Sequence, residues 1–542
     1  MIKIYHDEAL IPTPQLSEKH SQLKIALIYP DSYHIGMSNL GFQTILGLIS
    51  ERTAHKVDFY FWRSDAGVYR HPSELKKYYR EPNLREYDIL AFSTSYEFEY
   101  FNIYRILKRH KIPVLARERE TLPLVIAGGY TMSMNPEPLG EILDLAFVGE
   151  GETALEKFLS AVEYHLPDLR SRYFESARDN LIKEFCDASG FYFPPHTDQE
   201  RVVKNLLEDI SSYLTVSRIV ARKTAFNNMM LLQIARGCAA SCTFCMAGNI
   251  TKPLRMLPYE ELLSRARLAK GICNSIGIIS ASPSDHPDIR RLTKTLVQEG
   301  FSLSFSSLRL NTIDDEMLDC LLKSGQRTVT IAPEVLDEHY RKIIKKPYPT
   351  NEMILKRTRD FLEAGIPHIK FYYMLGYEFE TDEYIKKLGK FLSEICAVAE
   401  AVGNRKRPPE ITFSFSFLVP KPQTVYELSP MVGVKEMRRR KNLILKHTKG
   451  RCEFRFENEE SALLQEKLSR GGRDCIELLE FFEHRQLNKS SIRQAIEAFD
   501  LETSARNPRL HWKVLELYPH NPNFLKAIRN PAFQQAIQIG SA

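Results

Sequence analysis

The residues best suited to chemistry lie in one short stretch, Arg236-Gly-Cys238-Ala-Ala-Ser-Cys242-Thr-Phe-Cys245. Three thiols at Cys-x3-Cys-x2-Cys spacing follow an apolar run, and Gly237 suits the turn into the loop. Thiolates are the usual ligands of iron–sulfur clusters. Three of them can hold three irons of a 4Fe–4S cubane and leave the fourth open. An open position is what a catalytic metal site needs. A structural zinc would want four closed ligands, and the nearest further cysteine is Cys273. Cys238, Cys242 and Cys245 are therefore the candidate metal ligands, with Phe244 as an apolar wall beside them.

A loop of this kind needs rigid elements to hold it. The run at 230–235 begins a β/α series with further strand candidates at 275–280, 302–307, 328–332, 368–374 and 412–419. Helix-like segments such as 258–270 and 352–364 separate them. Six such units predict a partial (β/α)6 barrel, whose active residues belong at the carboxyl ends of the strands. Upstream, short apolar runs at 25–29, 57–61, 88–93, 124–127 and 145–148 alternate with amphipathic stretches such as 101–110. That pattern predicts a doubly wound α/β domain with a parallel sheet. The expected divisions are 1–167 for this domain, 168–229 for a linker, 230–433 for the barrel and 434–542 for a mainly helical C-terminal region.

Composition narrows the class. The 542 residues are 43% hydrophobic and 26% charged, the profile of a soluble globular protein with sizeable cores. The net charge of +6 (74 basic against 68 acidic residues) is small for this length and gives no clear nucleic-acid signal. Met437-Arg-Arg-Arg-Lys441 reads as a solvated helix face. Ser469-Arg-Gly-Gly-Arg-Asp474 reads as a surface turn, and Glu378 and Glu380 as solvated loop acids. No apolar run approaches the ~18 residues of a spanning helix, and the start of the chain carries charges where a signal peptide needs an apolar core. Nine cysteines are too sparse for a disulfide scaffold and point to the reducing cytoplasm.

The three-cysteine loop, with an aromatic before its last cysteine, resembles the defining motif of the radical S-adenosylmethionine (SAM) superfamily. More specifically, the chain is similar to members with an N-terminal cobalamin-binding domain, over about 24–427. Gly277-Ile-Ile-Ser-Ala-Ser282 stands where the second strand presents groups to the SAM amino end, although the usual Gly-Gly-Glu is absent. Ser306-Ser-Leu-Arg309 closes the third strand and Ile331-Ala-Pro-Glu334 the fourth. Tyr373-Met-Leu-Gly376 resembles the fifth-strand glycine motif near the adenine, and Phe417-Leu-Val-Pro420 the sixth strand end. The resemblance thus implies Ser280, Ser282, Arg309, Glu334, Gly376 and Pro420 as SAM contacts. Ordinary loop chemistry is the competing reading for the first four.

In the N-terminal domain the resemblance implies a flavodoxin/Rossmann-like cobalamin site at the carboxyl ends of the strands. Its candidates are Asp31, Gly36, Ser93, Gly128, Gly129 and Gly149. The familiar cobalt-ligand pattern is Asp-x-His-x-x-Gly. Asp31 and Gly36 keep that spacing, but Tyr33 takes the histidine place and His34 falls one residue late, which redirects its side chain. The implied activity is reductive cleavage of SAM to a 5′-deoxyadenosyl radical that modifies an unactivated carbon of an unknown substrate. A reductant such as flavodoxin or ferredoxin would supply the electron, and cobalamin-dependent methyl transfer is one outcome. The competing readings are a radical SAM enzyme with a non-functional cobalamin domain, and an RNA-binding iron–sulfur protein drawing on Arg405-Lys-Arg-Pro-Pro409 and the other basic run.

Overall fold

The computed structural model describes residues 4–12, 23–53, 55–76, 79–194, 199, 201–305, 308–402 and 409–501, and the backbone of 515–516. Five parallel strands form the centre of the N-terminal sheet. Their spatial order is Lys56–Arg63, Lys24–Tyr29, Ile89–Thr94, Leu124–Gly129, Leu145–Phe147. This is the 2-1-3-4-5 order of flavodoxin-like sheets. Gly67–Tyr69 and Phe191–Tyr192 extend it antiparallel at the two edges.

Both faces of this sheet are buried, so the strands read as nearly continuous apolar runs. Alternate residues serve the two faces. Leu27, Ala91 and Ile126 pack with the helices Leu40–Arg52 and Gly151–Leu169. Ile28, Phe92 and Val125 pack with Glu99–Arg109 and with Leu464, Leu468, Leu479 and Phe482 from the far end of the chain. The C-terminal helices therefore complete the N-terminal domain. Arg105 reinforces the contact by donating to the Phe482 carbonyl at 2.7 Å, just past the helix Cys475–Phe481, where carbonyls lack partners.

The barrel strands form two parallel sheets. Met230–Gln233, Ser275–Ile279 and Ser302–Phe305 make one. Thr328–Glu334, His368–Leu375, Glu410–Phe417 and Glu453–Phe456 make the other. Among the described residues no ladder joins the two, and Ser306 and Ser307, at the end of the third strand, lie outside those residues. The last strand is a correction to the sequence reading: a seventh parallel strand stands inside the region expected to be mainly helical. Around it the helices Val434–His447, Glu459–Arg470 and Lys489–Ala498 form as expected.

Register explains why so short a strand holds. Phe371, Phe413 and Phe454 stack across three strands with centroids 5.5 and 5.6 Å apart. Tyr373, Phe415 and Phe456 repeat the arrangement at 5.6 and 4.8 Å. Such cross-strand aromatic pairs are the unit of sheet stabilisation. The opposite, inner face carries Lys370, Thr412 and Glu453 in one row and Tyr372, Ser414 and Arg455 in the next. We expect Phe415→Ala to cost about 3–5 kcal/mol, read as a lower denaturant midpoint. A loss under ~1 kcal/mol would mean that the aromatic rows do not hold the seventh strand.

Candidate active site

The cysteine loop is framed at its base by a small antiparallel ribbon, Ala235–Arg236 paired with Arg255–Met256. Gly237 turns out of the ribbon at φ +88, and a Cβ there would lie 2.4 Å from the Pro253 carbonyl oxygen, so only glycine fits. The loop is then stitched to the top of the barrel. Thr243 N–H donates to the Ile344 carbonyl, and Val425 N–H donates to the Thr243 carbonyl, both at 3.1 Å. Phe244 packs against the apolar cluster of Val335, Ile344, Tyr377, Leu418 and Tyr426. Cys245 caps the short helix Met246–Ile250, and Gly248 N–H donates to its Sγ at 3.2 Å.

The three thiols share one environment. Burial pushes Cys242 up to about 11 and also raises Cys245, while Cys238, Glu334 and Lys346 act on both electrostatically. A bound metal would override this and deprotonate them. Burial depresses Lys252, and all three cysteines act on it in the opposite direction. Among the described residues, no three His, Cys, Asp or Glu side chains converge on a single ion. Among the described residues the donor set is three soft thiols on one loop beside two lysines, with no fourth protein ligand, and its chemistry suits an anionic iron–sulfur cluster with one open corner.

Around the loop stand the expected SAM contacts. Glu334 ends the fourth strand at φ +66 with Lys346 Nζ 2.6 Å from its carboxylate. Ser282 N–H donates to Ser280 Oγ at 3.3 Å, and Ser282 Oγ is buried without a hydrogen-bond partner, so a ligand could satisfy it. Arg309 is tied to the turn that follows Ser282, pairing with Asp285 at 3.1 Å and donating its backbone N–H to Ser284 Oγ. Gly376 turns at φ +118 and donates its N–H to Glu380 at 2.9 Å. Pro420 is buried, one residue before Lys421.

Facing the loop, a cavity of about 400 Å³ opens between the two domains. The carboxyl ends of the N-terminal sheet supply Ser93, Ser95, Gly128, Gly129, Tyr130, Gly149 and Gly151. The barrel supplies Leu231, Gln233, Arg236, Ile250, Thr251 and Ile279. The glycines differ in role. A Cβ on Gly128 would meet only Phe147 at 3.5 Å and would project into open space. A Cβ on Gly129 or Gly149 would strike backbone, at 2.0 Å from the Thr94 oxygen and 2.3 Å from the Asn205 oxygen.

Asp31 and Gly36 do not line this cavity. Gly36 is a packing glycine whose Cβ would sit 2.5 Å from the Phe61 ring. Tyr33, in the expected histidine place, is buried and donates its hydroxyl to Glu8, while His34 is exposed. Among the described residues, no histidine lines the cavity.

Two pairs of charges clamp the halves of the site together. Arg255 makes a bidentate pair with Glu150 at 2.7 and 2.8 Å, and Arg236 reaches Glu152 at 2.8 Å. Both glutamates belong to the Gly149–Glu152 turn of the N-terminal domain, and both arginines to the ribbon under the cysteine loop. Lys204 adds bonds to the carbonyls of Ile250 at 3.0 Å and Lys252 at 2.6 Å. Glu150 and Glu152 stand in the quoted sequence motif, but their partners lie some 85–105 residues away, which no local pattern reveals.

Glu97, two residues past the cavity-lining Ser95, is buried against Lys421, Ser469 and Gln465, joining all three regions. Burial works against its charge, but these partners outweigh it and hold the carboxyl low. Several solvated or surface readings are overturned here. Ser469 is fully buried and Arg470 nearly so, because Asn135 and Ser429 take up their backbone and side chain. Glu380 is buried and paired with Arg440, and Arg438 and Lys441 are half-buried in ion pairs, whereas Arg439 is exposed as expected.

Glu150→Ala should cost about 3–5 kcal/mol, because Arg255 then stays buried without its carboxylate. An unfolding midpoint within ~0.5 kcal/mol of wild type would show that the clamp carries no load. A pH effect follows from Glu99, which receives the Ser95 and Tyr96 N–H groups at the cavity rim. Burial raises it from 4.5 to about 7. The folded state therefore keeps this proton longer than the unfolded chain, and stability falls as pH rises from 4.5 to about 7. Glu99→Gln should gain on wild type across that window in thermal melts. A constant difference would contradict the assignment.

Two family models match the chain: Radical SAM proteins, N-terminal, over residues 41–194, and Radical SAM superfamily, over 232–392. An uncharacterized protein of Methanocaldococcus jannaschii is 26% identical over 468 residues, covering 84% of this chain and 90% of that protein. Among solved structures, the radical SAM methyltransferase TsrM from Kitasatospora setae, with cobalamin and a [4Fe-4S] cluster bound, aligns at 14% identity. It covers 73% of this chain and 75% of its own, with a TM-score of 0.48. The cobalamin-dependent radical SAM enzyme OxsB, with aqua-cobalamin and SAM bound, aligns at 14% identity over 89% of this chain and 72% of its own, with a TM-score of 0.49. With family models matching on both sides of the cavity and the three-cysteine loop inside the second match, the chain is an enzyme of the radical SAM superfamily.

Proposed function

We propose that this protein is a cobalamin-dependent radical SAM enzyme that modifies an unactivated carbon, with methyl transfer as the outcome. The reading rests on one juxtaposition: the cavity at the carboxyl ends of the flavodoxin-like sheet is walled on its other side by the residues flanking the cysteine loop. Ligands of open α/β sheets bind at that end of the strands. Cys238, Cys242 and Cys245 hold the cluster, and Ser280, Ser282, Glu334, Gly376 and Pro420 border the SAM space. When bound, cluster and SAM together supply reductive carbon–sulfur cleavage to a 5′-deoxyadenosyl radical.

The chain's own residues then bind, orient and exclude water. Gly128 and Gly151 keep the cavity floor bare, and Ser93, Ser95 and Thr44 offer hydroxyls for the polar edge of a corrin. With no histidine among the described lining residues, cobalamin would be held there without one of them as a histidine ligand to cobalt. Of the expected divisions, 229 precedes the first barrel strand, whereas 167 falls inside the helix Gly151–Leu169, the strand Phe191–Tyr192 carries the N-terminal domain past it, and the barrel extends to Phe456. No described helix is long and apolar enough to cross a membrane. The nine free cysteines support a reducing compartment, the cytoplasm, where a flavodoxin or ferredoxin would deliver the electron.

Anaerobically reconstituted protein given SAM and reductant should yield 5′-deoxyadenosine, and Cys242→Ala should yield none. Equal product from both would overturn the cluster assignment. Gly128→Leu places a side chain in the cavity. It should lower retained cobalt at least tenfold while iron content stays at the wild-type level. Unchanged cobalt would remove the cavity as the cobalamin site.

A further inference from the structure

Away from the active site, two thiols meet behind the seventh barrel strand. Cys396 is fully buried on the helix Asp382–Val402, and Cys452 is half-exposed, one residue before the strand Glu453–Phe456. The segment 449–452 runs along that helix. Lys449 N–H donates to Ser393 Oγ and Arg451 N–H to Glu400, both at 2.8 Å. Gly450 turns between them at φ +101, and a Cβ on it would lie 2.6 Å from the Cys396 Cβ, so the two backbones touch. Cys396 Sγ would lie 3.6 Å from that added Cβ, so the turn at Gly450 brings Cys452, two residues on, beside Cys396.

We propose that Cys396 and Cys452 form a redox-active dithiol that closes to a disulfide and staples the edge strand of the four-stranded sheet to the helix behind it. The accessible partner attacks and the buried one resolves. The Cys452 thiolate attacks one sulfur of a low-molecular-weight disulfide such as glutathione disulfide, forming a mixed disulfide and releasing one glutathione thiolate. Cys396, losing its proton, then attacks Cys452 Sγ, forms the intramolecular bond and expels the second glutathione. Two protein thiols are oxidised, and one glutathione disulfide is reduced to two glutathiones. The interaction of the two thiols fits this division of labour, since it holds Cys452 below its ordinary pKa and, with burial, pushes Cys396 up. Edge strands need such fixing, and this one reaches Glu457, whose carboxylate accepts the Phe417 N–H at the top of the barrel.

The test uses the reduced, cluster-loaded enzyme. It is incubated anaerobically with glutathione disulfide, quenched with N-ethylmaleimide and digested for mass spectrometry. The proposal expects a crosslinked Cys396–Cys452 peptide pair, lighter by two hydrogens than the separate peptides. In Cys396→Ser, Cys452 should instead stop at the glutathione adduct. Full alkylation of both thiols in wild type, or a lasting Cys452–glutathione adduct without the crosslink, overturns it. Half-exposed Cys186, whose Sγ lies against the Lys183 carbonyl, serves as the internal control for reagent access.

Discussion

The active-site arrangement depends on the ion pairs of Glu150 with Arg255 and Glu152 with Arg236. They are the places where the N-terminal sheet grips the ribbon under the cysteine loop. All four side chains are largely withdrawn from water, so each charge is tolerable only because its partner is present. The bidentate geometry fixes orientation as well as distance. With the pairs in place, the loop that carries three thiols and the glycine floor of the cavity face one space. Without them, nothing local would dictate how the two domains meet there.

A second constraint is a single buried carboxylate. Glu97 receives Lys421 from the barrel and Ser469 and Gln465 from the C-terminal region, so one buried carboxylate registers all three parts of the chain. The C-terminal helices also bury the second face of the N-terminal sheet. That region is therefore structural for the site, although it lies outside both stretches matched by the superfamily models.

Much of this was legible in the sequence where physics is local. The cysteine spacing, the apolar runs of the five doubly buried strands and the barrel strands through 410–417 all announce themselves within a few residues. Elements fixed by distant partners do not. Glu453-Phe-Arg-Phe456 is four residues between helices, and only its register against Phe413 and Phe415 makes it a strand. Ser469 and Arg440 look like surface residues until Glu97 and Glu380 arrive from elsewhere in the chain. Asp31 and Gly36 keep a familiar spacing, yet the packing of Phe61 on Gly36 and of Tyr33 beneath it assigns that turn to the core. The two expected SAM contacts with the firmest physical support, Ser282 and Glu334, stand out through an orphaned hydroxyl and a left-handed strand end, which only coordinates reveal.

The account's central claim is that cluster and cobalamin share one space between the domains. The most direct measurement is the electron paramagnetic resonance spectrum of protein carrying both a reduced cluster and cob(II)alamin. The account predicts spin–spin coupling between the two centres that neither shows alone. A spectrum equal to the sum of the two separate signals would contradict it.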